Sequence, residues 1–186
     1  MQKLGVKERI IETASRLFYY DGYNQTGINK IIEEAGVAKA SMYQHFRSKE
    51  DIAVAYLQRR HGSWMGNLAA FVSEAETPKD KLIASFDYLM DWLHSVEYRG
   101  CGWQNIITDL PEDHHKIKAQ SVLHKNLVRE WVHDLLNEEE GTTPQEAEQL
   151  GDEVIILLEG AIILSQIQKD DWPIKAAKSA CVKVLA

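Results

Sequence analysis

This sequence has few of the features that mark secreted, membrane-spanning or redox-active proteins. Its 186 residues include two cysteines, Cys101 and Cys181, which lie far apart and have no metal-binding or redox spacing. The N-terminal segment has no apolar signal core, so we expect a reduced, cytoplasmic chain. The longest apolar stretch, residues 154–167, is interrupted by polar residues and is shorter than the roughly 20 residues that a membrane span requires.

Sequence motifs of the common enzyme classes are also missing. We find no Gly-rich phosphate loop, nucleophile elbow or metal-ligand motif. Asp87, Asp91 and His94 recur at helical spacing, but a solvated polar helix face accounts for them. We therefore expect no catalytic residues, no cofactor and no metal. A helical enzyme built on His and Asp, or a helical interaction module that binds no DNA, are the competing classes.

Charge is distributed unevenly along the chain, although the net charge of the whole is −7. Residues 1–60 contain ten Lys or Arg and seven Asp or Glu, a net charge of +3. Residues 61–186 contain eleven and twenty-one, a net charge of −10. This division predicts an N-terminal segment that can bind an anionic polymer and an acidic remainder with another task.

Apolar residues recur with helical spacing along the chain, and no strand pattern or internal repeat is visible. We therefore predict an all-α protein with about nine helices. The expected helices cover about residues 7–21, 28–35, 38–46, 48–75, 78–96, 103–110, 115–138, 144–168 and 172–185.

The pattern around which the chain is organised lies in residues 25–50. Ile28, Ile31 and Ala35 form one apolar helical face, which Thr26 or Asn24 can cap and Gly36 can end. A second short helix follows at once, with Ala40, Tyr43 and Phe46 in register. Helix, Gly-containing turn and helix form the helix-turn-helix pattern, whose second helix enters the DNA major groove.

The run from Gly36 to Phe46, GVAKASMYQHF, followed by Ser48-Lys49-Glu50, resembles the DNA-binding domain of the tetracycline-repressor (TetR) family. The resemblance implies a three-helix DNA-binding domain, here residues 1–50, and a helical effector-binding and dimerisation domain, here 51–186. It also implies which side chains meet DNA. The base-facing positions are Lys39, Ala40, Ser41 and Gln44, and the phosphate-facing positions are Thr26, Gly27, Tyr43, His45 and Lys49. Ala40 stands where the family often has Gly or Pro, so the base preference of relatives does not transfer.

The C-terminal part contains candidates for an effector pocket and for a dimer interface. Aromatic residues interrupted by a few polar ones favour an apolar or aromatic effector, although core packing alone also explains them. The pocket candidates are Trp64, Phe86, Met90, Trp103, Gln120, His124 and Trp131. The helix from residue 144 is apolar almost all round and needs cover on two sides. By resemblance, the last two helices pair with their copies in a second subunit. The interface candidates are Leu157, Gly160, Ile163, Leu164, Ile167, Cys181 and Leu185.

These features predict a homodimeric transcriptional repressor that binds a palindromic double-stranded DNA operator and is released by a small molecule, with no membrane partner. The long helix from Ser48 is the expected mechanical link, because it carries core residues of both domains. An alternative trigger is Cys101, which lies between two glycines and close to Arg99 and could sense thiol-reactive compounds.

Overall fold

The computed structural model of the chain describes residues 4–108, 110–111 and 113–186. Within these ranges the protein consists of nine α-helices and one 3₁₀ turn (Val72–Glu74), without strands, which confirms the all-α prediction. The helices are α1 (Val6–Tyr20), α2 (Ile28–Glu34), α3 (Lys39–His45), α4 (Lys49–Phe71), α5 (Pro78–Ser95), α6 (Gly102–Ile107), α7 (His115–Glu138), α8 (Pro144–Gln168) and α9 (Trp172–Val184). None of the helices described here is both long and apolar enough to cross a lipid bilayer.

Three local predictions were wrong. The fourth helix ends at Phe71 rather than near residue 75, because its last turn tightens into the 3₁₀ turn. Helix α6 ends at Ile107 rather than near residue 110; Asp109 lies outside the described residues. Neither Thr26 nor Asn24 caps α2, whose N-cap is Gly27 without a side-chain hydrogen bond.

Side-chain caps form at the starts of two other helices. The backbone N–H of Asp51 donates to the Ser48 hydroxyl over 3.0 Å at the start of α4. Thr77 caps α5 in the same way, accepting from the backbone N–H of Asp80 over 3.0 Å, and Pro78 occupies the first turn. Each cap satisfies an N–H group that would otherwise lack a partner within its helix.

The described residues form two compact units. The first lies within Met1–Ser63 and Gly102–Leu123, and the second within Trp64–Cys101 and His124–Ala186. Helices α4 and α7 therefore contribute residues to both units. A compact unit is not a functional domain, so the expected functional boundary at residue 50 stays a prediction.

The first unit has a core in which α1 is central. Ile10, Ala14 and Leu17 on α1 are fully buried, and Phe18 is nearly so, as the periodicity predicted. Ile31 of α2 and Met42 of α3 are fully buried as well, together with Ile52 and Leu57 of α4. Burial of each of these Ile, Leu, Phe and Met side chains contributes about 1.5–3 kcal/mol.

The second unit is built around α5, α8 and α9, which pack against one another. Leu82, Phe86, Leu89 and Leu93 form the predicted buried face of α5. Helix α8 ends at Gln168, its C-cap Lys169 has a left-handed φ of 56°, and the chain then turns into α9. Val154 and Ser165 of α8 and Cys181 of α9 are completely buried in this unit.

Candidate nucleic-acid interface and regulatory sites

The turn between α2 and α3 is shaped by Gly36, whose φ of 60° is the left-handed conformation that favours glycine. The backbone N–H groups of Gly36 and Val37 donate to the carbonyls of Glu33 and Ile32 over 3.0 and 3.2 Å, which ends α2. The Arg9 guanidinium of α1 donates to the Gly36 carbonyl over 3.2 Å. The turn is thus held by hydrogen bonds to α2 and from α1. These bonds also fix the direction in which α3 begins.

Helix α3 has one buried and one exposed side. Met42 is fully buried and Phe46, one turn later, is nearly so. The predicted register of Ala40, Tyr43 and Phe46 was therefore wrong for Ala40 and Tyr43, because the inward positions are spaced by four residues rather than three. Tyr43 is instead 46% exposed, which leaves its ring and hydroxyl available at the surface.

The predicted base-facing residues lie away from this core. Lys39, Ala40 and Gln44 are exposed, and Ser41 is half-buried. Lys39 and Ser41 fall in the first turn of α3, where a helix entering the major groove meets base edges. The arrangement offers a lysine, a hydroxyl and an amide on one short helix, which are groups that hydrogen-bond to bases.

The predicted phosphate-facing residues divide into exposed and buried positions. Gly27, Tyr43 and His45 are exposed. Thr26 is completely buried, and its hydroxyl donates to the Gly22 carbonyl over 2.8 Å. The Thr26 side chain therefore anchors the loop before α2.

Lys49, in the first turn of α4, is half-buried against Tyr23. Its ammonium donates to the Tyr23 carbonyl over 3.0 Å and lies 4.1 Å from the centre of the Tyr23 ring. Burial lowers the pKa of Lys49. Sequence reasoning missed this cation–π contact, which holds the Lys49 ammonium against the Tyr23 ring at the start of α4.

Two family models match the chain. The model for bacterial regulatory proteins of the TetR family matches residues 10–56, which contain most of α1, all of α2 and α3, and the start of α4. The model for the C-terminal domain of LmrA/YxaF-like transcriptional regulators matches residues 78–180. The chain belongs to the TetR family. It is a DNA-binding transcriptional regulator, as predicted, and its relatives are regulators rather than enzymes.

The similarity extends over most of the chain. An uncharacterised HTH-type transcriptional regulator of Bacillus subtilis, YxaF, is 28% identical over 172 residues, which are 90% of this chain and 88% of that protein. The regulator LmrA of the same organism is 26% identical and covers 90% of both chains. Among solved structures, a TetR transcriptional regulator from Legionella pneumophila is 25% identical with a TM-score of 0.79, covering 98% of both chains. A TetR-family regulator from Streptomyces coelicolor has a TM-score of 0.85 over 97% of this chain and 88% of that one.

The predicted effector residues of this TetR-family regulator do not all fall in one compact unit. Trp103 and Gln120 belong to the first unit. Trp103 is buried near Arg60, and Gln120 accepts a hydrogen bond from Gln58 over 3.2 Å. The other candidates belong to the second unit: Trp64, Phe86, Met90, His124 and Trp131.

Within the second unit, Trp64 is the centre of an aromatic cluster. Its ring lies edge-on to Tyr88, His124 and Trp92, with centroids 5.6, 5.7 and 6.2 Å away. The Tyr88 hydroxyl donates to the Trp64 carbonyl over 3.1 Å. Sequence reasoning missed Tyr88 and Trp92, which stand four residues apart on α5 and therefore share a helix face, two positions away from the candidates Phe86 and Met90.

The predicted interface residues also divide by exposure. Leu164 and Gly160 are exposed on α8, and Ile167 is 72% exposed. Leu157 and Ile163 are half-buried. Cys181 and Leu185 are buried in the core of their own unit and so offer almost no surface to a partner.

The exposed apolar surface is larger than the interface prediction. Ile156 on α8 is 72% exposed, and Trp172 at the start of α9 is also exposed. Together with Leu164 they line a groove of about 320 Å³ between α8 and α9. We call the exposed residues Ile156, Leu164, Ile167 and Trp172 the apolar strip.

Asp87 and His94, two of the three residues that recur at helical spacing on α5, have polar partners on α9 or at its start. Both carboxylate oxygens of Asp87 accept from the Lys178 ammonium over 2.7 Å. His94 lies 2.7 Å from the Asp171 carboxylate, which also accepts from the Tyr98 hydroxyl over 2.6 Å. The Tyr98 hydrogen bond, more than any other contact, lowers the pKa of Asp171. These pairs connect α5 and the turn after it to α9.

Proposed function

We propose that this TetR-family regulator is a homodimeric repressor that binds a palindromic operator and is released by a small apolar or aromatic effector. The observation that carries the proposal is the geometry of α3. Its inward side is held by the buried Met42, while Lys39 and Gln44 are exposed on the other side in a segment with a net charge of +3. Such a helix can enter the major groove without rearrangement of its own domain.

Two roles are proposed for the DNA-facing residues. Lys39, Ser41 and Gln44 contact base edges and supply sequence preference. Gly27, Tyr43, His45 and Lys49 hold phosphates, and these contacts supply affinity that falls steeply with salt concentration. Thr26 contributes indirectly, because its buried hydroxyl fixes the loop that precedes Gly27. Two such surfaces about 34–36 Å apart would read the two halves of a palindrome.

The proposal of a dimer is supported by the apolar strip. Exposure of isoleucines and a tryptophan to water is unfavourable in free energy, and a contiguous apolar patch of this kind marks a protein-binding surface. A second copy of the same strip offers matching apolar surface, as symmetric dimers require. The interface would then comprise the apolar strip with Leu157, Gly160 and Ile163 at its edge.

The proposal of an effector site is centred on the aromatic cluster of Trp64. Aromatic walls with one titratable ring, His124, suit a flat apolar molecule with a single polar group. A ligand there would act through a higher affinity for the form of the protein that does not bind DNA. Phe86, Met90 and Trp131 are the remaining candidates in the same unit.

The test is selection of genomic DNA fragments with purified protein, followed by sequencing of what is retained. We expect enrichment of one palindromic sequence. The selection is repeated after the protein has been unfolded and refolded to remove bound ligand, because a ligand-bound repressor would also retain nothing. Absence of enrichment in both experiments would overturn the proposal.

Substitutions on α3 and α4 test which surface of the protein binds DNA. We expect the double variant of Tyr43→Ala and Lys49→Ala to lose the enriched sequence, while Lys183→Ala, an exposed lysine on α9, retains it. Specific binding by the double variant would show that the DNA surface is elsewhere.

For the dimer, we expect Ile156→Asp to yield monomers in sedimentation velocity. Val122→Asp, at an exposed apolar residue of α7, is the matched control and should leave the dimer intact.

A further inference from the structure

Cys101 belongs to a cluster of three reactive side chains in the second unit. Its Sγ accepts a hydrogen bond from the Lys125 ammonium of α7 over 3.6 Å. The same ammonium lies 2.6 and 2.7 Å from the two carboxylate oxygens of Glu159 on α8. Lys125 therefore stands between the thiol and the carboxylate and contacts both.

The cluster is enclosed at one end and open at the other. Cys101 is only 3% exposed, whereas 35% of the Lys125 side chain and 31% of the Glu159 side chain are exposed. The cluster therefore meets solvent at its Lys125 and Glu159 end. Burial acts to lower the pKa of Lys125, but the Coulombic interactions with Cys101 and Glu159 outweigh it, so the pKa is raised.

The backbone beside Cys101 is held in place. Gly100 has a φ of 80°, and a Cβ at this position would lie 2.0 Å from the carboxamide oxygen of Gln166. The close approach of Gln166 leaves the segment little room to shift, which keeps Sγ directed at Lys125. A nitrogen fixed beside a sulfur is the arrangement in which an oxidised cysteine forms a sulfur–nitrogen bond.

We propose that Cys101 and Lys125 form a reversible sulfenamide crosslink when the protein meets hydrogen peroxide, with Glu159 holding Lys125 beside the thiol. Sγ first attacks one peroxide oxygen, giving the sulfenic acid and releasing water. Oxidation removes the Coulombic interaction with Cys101 that helps to raise the pKa of Lys125, and the ammonium then loses a proton to solvent. The neutral amine then attacks the sulfenic sulfur, the S–N bond forms, and the hydroxyl leaves as a second water. Two equivalents of an external thiol reverse the step, restoring the thiol and the amine and forming one disulfide.

The crosslink changes charge as well as connectivity. The segment before α6 becomes covalently joined to α7. Lys125 is no longer a cation, so Glu159 loses the partner of its carboxylate. Glu159 lies on α8, the helix that also carries Ile156 and Leu164 of the apolar strip. The proposal extends the proposed function by adding an oxidant as a second signal, but the chemistry itself requires neither DNA nor a dimer.

The experiment is intact-mass analysis of the reduced, full-length protein treated with hydrogen peroxide. We expect a product about 2 Da lighter that dithiothreitol reverses, and a digest in which the peptide of Cys101 is joined to that of Lys125. Cys181→Ala is the matched control and should give the same product. Lys125→Arg keeps a cation opposite Glu159 but removes the amine, and should instead give a sulfenic acid, about 16 Da heavier, that dimedone traps.

Three outcomes would overturn the proposal. These are no reaction at Cys101, oxidation of the wild-type protein without loss of mass, and the lighter product in Lys125→Arg. Because the readout is a mass, a failure of the crosslink is distinguishable from a failure of DNA binding in the genomic selection.

Discussion

The ammonium of Lys116, in the first turn of α7, lies 2.6 Å from the carboxylate of Asp51 in the first turn of α4. The neighbouring Glu50 carboxylate accepts the backbone N–H of the same lysine over 2.9 Å. Both acceptors stand directly after Lys49, one of the proposed phosphate contacts. The start of α7 is therefore attached to the helix start that we place beside DNA, in the same compact unit.

This contact predicts a pH dependence of stability. The hydrogen bond from Lys116, more than any other contact, lowers the pKa of Asp51 in the folded protein. A carboxylate with a depressed pKa stabilises the fold above its unfolded pKa of about 3.9, and the contribution is lost as the pH falls through the folded value. We expect Asp51→Asn to lower the free energy of urea unfolding at pH 7, and the difference from wild type to shrink at about pH 3.

The matched control for this experiment is Asp134→Asn on α7, an exposed carboxylate for which we expect no comparable difference. An equal destabilisation of Asp51→Asn at both pH values would show that the carboxylate charge is not what stabilises this contact.

The two proposed classes of DNA contact predict different signatures in binding experiments. We expect Gln44→Ala to weaken binding to the selected operator by about 1–3 kcal/mol and to relax preference at one base position. Lys49→Ala should weaken binding to all sequences similarly and reduce the slope of log affinity against log salt by about one. Fluorescence anisotropy over a salt series measures both quantities. The assignment of roles is wrong if the two variants exchange signatures.

The start of α8 predicts a stability change without a change in function. The Thr143 hydroxyl accepts from the backbone N–H of Glu146 over 3.3 Å, and the Glu146 carboxylate accepts from that of Thr143 over 2.9 Å. We expect Thr143→Ala to reduce the free energy of unfolding by about 1 kcal/mol. Gln145→Ala, in the same turn and exposed, should change it by less than about 0.5 kcal/mol. Comparable losses in the two variants would argue against a role of the cap.

Replacement by alanine is expected to change the free energy of unfolding in opposite directions at two glycines. Gly66 lies exposed inside α4, and a Cβ there would meet no atom within 4 Å. Gly66→Ala should therefore stabilise the protein by up to about 1 kcal/mol. Gly100→Ala should destabilise it by more than about 1 kcal/mol, since a side chain at positive φ is strained and would collide with Gln166. Urea unfolding measures both, and a gain in stability for Gly100→Ala would contradict the close contact.

Sequence reasoning was strongest where the signal is local. Helices α7 and α8 were predicted with the bounds that the structure has. The polar linker after Glu138 marks the end of α7, and Pro144 marks the start of α8. The helix-turn-helix was equally clear from Gly36. Helix ends without such signals, at Phe71 and Ile107, were placed too late.

Sequence reasoning was weakest where a residue's role depends on distant partners. Lys125 looks like an ordinary helical lysine, and its contacts lie 24 and 34 positions away in the chain. Cys181 stands on a helix with apolar residues on more than one side, so periodicity alone did not show which side faces inward. Thr26 was assigned by family position, and only the fold shows that its hydroxyl is enclosed.

Dimerisation through the apolar strip, as proposed, would make the protein's own abundance part of its regulation. If two copies bury Ile156, Ile167 and Trp172 against each other, the folded dimer is favoured by mass action, and its melting temperature rises with protein concentration. At low copy number, dissociation into monomers would compete with operator binding, because one recognition helix alone reads only half of a palindrome. Operator occupancy by such a repressor would depend steeply on its own concentration, and so on its synthesis and dilution, even without an effector.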